Sequence, residues 1–115
     1  MIERKRGLFN GRNKSSAYKD LVFTVATSPN TALGTEEQTR LALEVISRNL
    51  EEMGSDKSRI LSAQVFIARM EEKPLMDRAW CEWIGKDWLC WPQRACLGVV
   101  LEGDVLVEIT VTAVR

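Results

Sequence analysis

The chain has 115 residues, 45% hydrophobic and 28% charged, enough for one domain over residues 1–115 with one modest core, and its composition excludes a disordered or fibrous protein. Sixteen basic residues balance sixteen acidic ones, so no overall field favours nucleic acid or an anionic membrane. Histidine is absent, which removes Ser-His-Asp and Cys-His catalysis, most zinc sites and the usual general base near neutral pH.

The first twenty residues carry six basic groups (Arg4, Lys5, Arg6, Arg12, Lys14 and Lys19) against Glu3 and Asp20. An RNA-binding arm or a targeting remnant would use such a cluster. A solvated edge strand, its cations discouraging edge-to-edge pairing, is the favoured reading, because only Phe9 and Tyr18 offer stacking surfaces. Leu21 to Thr27 is a short apolar run rich in β-branched residues and predicts a buried strand. A helix follows. Thr35 with Gln38 reads as a capping box, Glu36 and Glu37 suit the positive N-terminal end, and Gly54 marks the stop. Leu43, Ile46, Leu50 and Met53 recur at helical spacing, so one face is buried.

Ile60 to Ala68 predicts a second strand, and a second helix follows with Pro74 at its first position and Gly85 at its exit. Its apolar residues are Leu75, Met76, Ala79, Trp80, Trp83 and Ile84. After the loop "GKDWLCWP", the stretch from Trp91 to Ala113 reads as a β-hairpin turning at "EGD". If Leu101 pairs with Val105, Arg94 and Glu108 share a face about four residues apart, roughly 13 Å, and do not touch within the hairpin. The pattern predicts an α+β fold, a β-sheet with two helices packed on one face. The other face, expected to carry Arg94, Glu108 and the threonines, suits an oligomer interface or a lined cleft.

No apolar run reaches transmembrane length and no signal-peptide pattern opens the chain, so no membrane partner is expected and the expected location is cytoplasmic. Cys81, Cys90 and Cys96 are odd in number and form no CxxC pair, which points to reduced thiols rather than a disulfide framework.

The segments "EEQTRLALEVISRNLEEMGS", "KPLMDRAWCEWIG", "WPQRACLGVVL" and "LVEITVTAV", in that order and spacing, resemble the Rid family of reactive intermediate deaminases, also called the YjgF type. The resemblance runs from about Ser16 onward. It implies a chorismate-mutase-like subunit with a mixed sheet, assembled as a homotrimer around a central barrel, with ligand sites in clefts between subunits. It implies cofactor-free hydrolysis of 2-imino or 2-enamino acids to 2-oxo acids and ammonia. Arg94 matches the family's carboxylate anchor, a role suited to a planar fork that makes two parallel hydrogen bonds. Glu108 aligns with the water-contacting glutamate and would position the water and carry its proton.

Several positions depart from the best-known members. Val25, Ala26 and Thr27 replace Ser-Gly-Gln, Asp77 stands where those members have an asparagine, and Thr110 replaces a second glutamate. The Pro-Tyr segment near the N-terminus has no clear counterpart. Asp77 near the cleft would alter substrate charge preference or face solvent. Trp80 and Trp83 fit core packing, whereas Trp88 and Trp91 divide evenly between packing and lining the site. Cys96, two residues from Arg94, is a contact candidate whose simplest reading is an inert thiol. Two other functions compete: a non-catalytic module that binds a small carboxylate through Arg94, and an RNA-cleaving translation inhibitor. Neutrality and the lack of a base-stacking platform count against the second.

Overall fold

The computed structural model describes residues 1–115. Six strands, β1 (Glu3–Arg6), β2 (Asn13–Tyr18), β3 (Leu21–Thr27), β4 (Ile60–Ile67), β5 (Gln93–Gly98) and β6 (Val107–Val114), form one mixed sheet. The helices α1 (Thr35–Glu52) and α2 (Lys73–Ile84) pack against each other and cover one face. The spatial order is β1-β2-β3-β6-β4-β5. Only β4 and β5 run parallel, and α2 provides the crossover that a parallel pair needs.

Alternation along the strands decides which face is covered. Val22, Ala26, Ala63, Val65, Ile67, Val107, Ile109, Val111 and Ala113 are buried, and they form a single core with Leu43, Ile46 and Leu50 of α1 and Met76 and Trp80 of α2. Their neighbours in sequence point away from the helices and leave an uncovered face. That face carries exposed Tyr18, Phe23 and Leu97 beside half-buried Val25, Gln64, Phe66, Glu108, Thr110 and Thr112. β1 is exposed along its length at the sheet edge, as its run of cations predicts.

Both helices end where glycine makes a left-handed turn cheap. Gly54 follows α1 at φ 82° and Gly85 follows α2 at φ 85°. The capping box does not form. Gly34 is the N-cap residue and Thr35 is already helical; its hydroxyl instead donates to Glu72 ahead of α2. Gln38 is fully buried and works across the fold. Its amide nitrogen donates to the carbonyls of Thr31, Leu33 and Asp104, at 3.3, 2.9 and 3.0 Å. Its oxygen accepts from the Leu106 N–H at 2.9 Å. One side chain thus ties the loop before α1 to the loop before β6.

The expected C-terminal hairpin is also absent. β6 lies between β3 and β4 and is antiparallel to both, while β5 pairs with the far side of β4. Residues 99–106 therefore pass over the end of β4. They are held there by Val99 N–H to Ile67 O and by Ala68 N–H to Leu106 O, each at 3.0 Å. This exchange of partners reverses the expected face of Arg94. In the parallel register Arg94 is level with buried Ala63 and Cys96 with buried Val65, so both point to the helix side. Glu108, level with Phe66 and Thr27, points to the uncovered side.

Candidate active site

Arg94 is the second residue of β5, an edge strand beneath α2. Helical spacing sets its surroundings: Trp80 lies one turn after the adjacent pair Met76 and Asp77, and all three side chains reach Arg94 from α2. The Arg94 guanidinium lies 5.1 Å from the Trp80 ring centroid, a cation–π arrangement. Its Nη1 approaches the Met76 sulfur at 3.7 Å, and its Nη2 donates to Asp77 Oδ1 at 2.7 Å. The side chain is 18% exposed, so the charge is partly desolvated yet open on one side.

Asp77 has a second partner. Its Oδ2 accepts from Lys73 Nζ at 2.8 Å, one helical turn earlier. Burial pushes the Asp77 carboxyl up, but the hydrogen bonds and charges of Lys73 and Arg94 outweigh burial and hold it below the usual carboxylate value. A depressed folded-state pKa stabilises the fold above the unfolded value, about 3.9, and the contribution is lost as pH falls through the lower folded value. The denaturation midpoint in urea is therefore expected to fall more on acidification in the wild type than in Asp77→Asn. Equal slopes for the two proteins below about pH 5 would refute this.

Cys96 follows Arg94 on the same face, half-buried against the core. Burial raises its thiol, and the nearby Arg94 and Lys73 charges only partly offset that. The thiol is neutral near pH 7, as expected of an inert cysteine. Trp80 is buried, and Trp83 packs beside it at 5.4 Å between ring centroids, donating to Ser47 Oγ at 2.9 Å. Trp88 and Trp91 are 68% and 52% exposed. Trp91 donates to the Gly85 carbonyl, and no contact ties either ring to Arg94.

Glu108 is separated from Arg94 by β4 and by the thickness of the sheet. Sequence reasoning placed the two on one face; the structure places them on opposite faces, because β5 and β6 each pair with β4 rather than with each other. Glu108 lies beside Thr27, the last residue of the Val25-Ala26-Thr27 segment. Farther along the same face, Phe23, Val25, Gln64, Thr110 and Thr112 border a shallow concavity of about 370 Å³. Thr110 donates to Gln64 there, at 2.8 Å. Lys73 is the site residue that sequence reading passed over. Its four-residue spacing from Asp77 was the available signal.

A mixed sheet backed by two helices, with β6 inserted between β3 and β4 and the opposite face bare, defines an α+β protein of the chorismate-mutase-like class. The sequence model described as Endoribonuclease L-PSP matches residues 21–115. The chain belongs to this YjgF/YER057c/UK114 family, also known as Rid. A RutC family protein of Haemophilus ducreyi is 38% identical over 78 residues, 67% of this chain and 65% of that protein. The chain spans about half to two thirds of the length of the curated relatives it matches. The crystal structure of NMB1025, a YjgF-family protein of Neisseria meningitidis, superposes with a TM-score of 0.89 at 29% identity, covering 100% of this chain and 95% of that one. Escherichia coli TdcF with bound serine shares the fold at a TM-score of 0.84 and 24% identity, covering 100% and 98%.

Proposed function

We propose that the protein hydrolyses reactive 2-imino or 2-enamino acids to 2-oxo acids and ammonia, without a cofactor, in clefts between the subunits of a homotrimer. The observation that carries this reading is the Arg94–Asp77 pair: a partly buried guanidinium on an aromatic ring already receives a carboxylate oxygen at 2.7 Å. A ligand carboxylate would use the same donors. Family membership supports the choice of substrate, and bound serine in TdcF is a relative's example of a small amino acid ligand.

Arg94 and Glu108 face opposite ways within one chain, so this reading requires Glu108 from a neighbour. A second copy laid with its bare face along the β5 edge would bring its Glu108 toward the guanidinium of the first. The apolar side chains of that face, Phe23, Val25, Phe66 and Leu97, would supply the contact area. In the cleft the clamped carboxylate fixes the imine carbon. Water attacks that carbon while Glu108 accepts one water proton and passes it to the nitrogen, giving a carbinolamine. The new hydroxyl then gives up its proton through Glu108 to the same nitrogen as the C–N bond breaks, releasing the 2-oxo acid and ammonia.

The test is the rate of 2-oxo acid formation from imines generated in situ by an amino acid oxidase. The wild type is expected to accelerate hydrolysis, and Glu108→Gln to lower that acceleration about 100-fold, within the usual range for a general base. No acceleration by a folded trimer would refute the deaminase reading and leave a carboxylate-binding module. Full activity in Glu108→Gln would remove Glu108 from the mechanism.

A further inference from the structure

We infer that Asp77 is a charge filter at the Arg94 fork, a specificity-determining residue that restricts the site to ligands with a single carboxylate. The inference rests on Arg94 as the carboxylate anchor. A guanidinium offers a carboxylate two forked edges, one through Nη1 and Nη2 and one through Nε and Nη2. Nη2 belongs to both, and Asp77 Oδ1 sits on it at 2.7 Å. An incoming carboxylate on either edge therefore brings an oxygen beside the Asp77 oxygen, and like charges at that separation repel.

The filter can yield because Asp77 has a place to go. Its other oxygen is held by Lys73 at 2.8 Å, and Lys73 belongs to the same helix face, one turn back. Turning toward Lys73 frees Nη2 without stranding the carboxylate. The charges facing the pocket are then Arg94 and Lys73 against Asp77, with the neutral Cys96 thiol on β5 and the Met76 and Trp80 walls adding none. Within this chain that leaves one positive charge for one ligand carboxylate, and the neighbouring subunit's Glu108 that the proposed reaction brings in would add a second negative charge rather than a cation. A second anionic group on the ligand would face Asp77 with nothing left to neutralise it.

The relevant side chains can adjust to a ligand. Asp77 is 34% exposed and Lys73 40% exposed, against 18% for Arg94. The anchor is the most buried member of the trio, and the carboxylate that guards it is the more exposed of the pair.

Calorimetric titration of the full-length protein with pyruvate, 2-oxoglutarate and methyl pyruvate tests the inference. Asp77→Asn keeps the shape and the acceptor but removes the charge. It is expected to bind pyruvate about tenfold tighter, a change of about 1.4 kcal/mol. 2-Oxoglutarate should gain more, while the uncharged ester should be unmoved. Lys73→Met removes the alternative partner and should weaken pyruvate binding below that of the wild type. If wild type and Asp77→Asn bind both acids equally, the filter is refuted while the anchor stands. If neither acid binds any of the folded proteins, the Arg94 anchor falls and the filter falls with it.

Discussion

Arg94→Ala is expected to lower imine hydrolysis and 2-oxo acid binding by about 100-fold or more. A hydrogen bond to a charged group contributes roughly 1.5–3 kcal/mol, and each 1.36 kcal/mol is tenfold in rate. Losing both arms of a fork therefore exceeds two orders of magnitude. Arg94→Lys separates charge from geometry. It keeps the cation but offers a point donor in place of the planar pair, so an intermediate loss is expected. The readout is the in situ imine assay alongside pyruvate titration. If Arg94→Ala retains the wild-type rate, the anchor assignment is wrong whatever the fate of Glu108. Binding lost without any catalysis in the wild type would favour a module that only captures carboxylates.

The second large effect concerns stability. Gln38→Leu preserves approximate bulk but leaves three carbonyls and the Leu106 N–H without the partner they now share. An unsatisfied buried polar group costs roughly 1–3 kcal/mol. The two loops are near the surface and water can recover part of this. A net loss of about 3–5 kcal/mol is expected, near the upper end for single substitutions. Urea unfolding followed by circular dichroism measures it directly. A variant within about 0.5 kcal/mol of wild type would show that Gln38 is not the tie described here.

Gln38 also illustrates what the sequence could convey. Its position three residues after Thr35 has the spacing of a capping box, and local pattern alone cannot distinguish that from a tertiary tie to residues 104 and 106. Features set by neighbouring residues were legible. Gly54, Gly85 and Pro74 marked helix boundaries, and alternation at Val107, Ile109, Val111 and Ala113 marked the covered face of β6. Strand order was not legible. Consecutive strands usually pair, and the hairpin expected between β5 and β6 followed that rule, whereas β4 lies between them. The face of Arg94 was misread for the same reason: it depends on a register with β4, some thirty residues earlier in the chain. Asp77 was singled out as a departure from the pattern of the family the sequence resembles. Its pairing with Arg94 requires knowing how α2 lies across β5.

β6 comes after every other strand in the chain and sits between β3 and β4. Thr110 is level with Val25 on one side and Gln64 on the other, so the sheet closes through contacts that span much of the sequence. Until residues 107–114 leave the ribosome, β3 and β4 each present an open edge where β6 will lie. The nascent chain can form α1, α2 and the β1–β2–β3 meander, but not the continuous sheet. High sequence separation between contacting residues slows folding, and exposed edges invite pairing with other chains. The central seam is thus the last part of the sheet that the ribosome makes available.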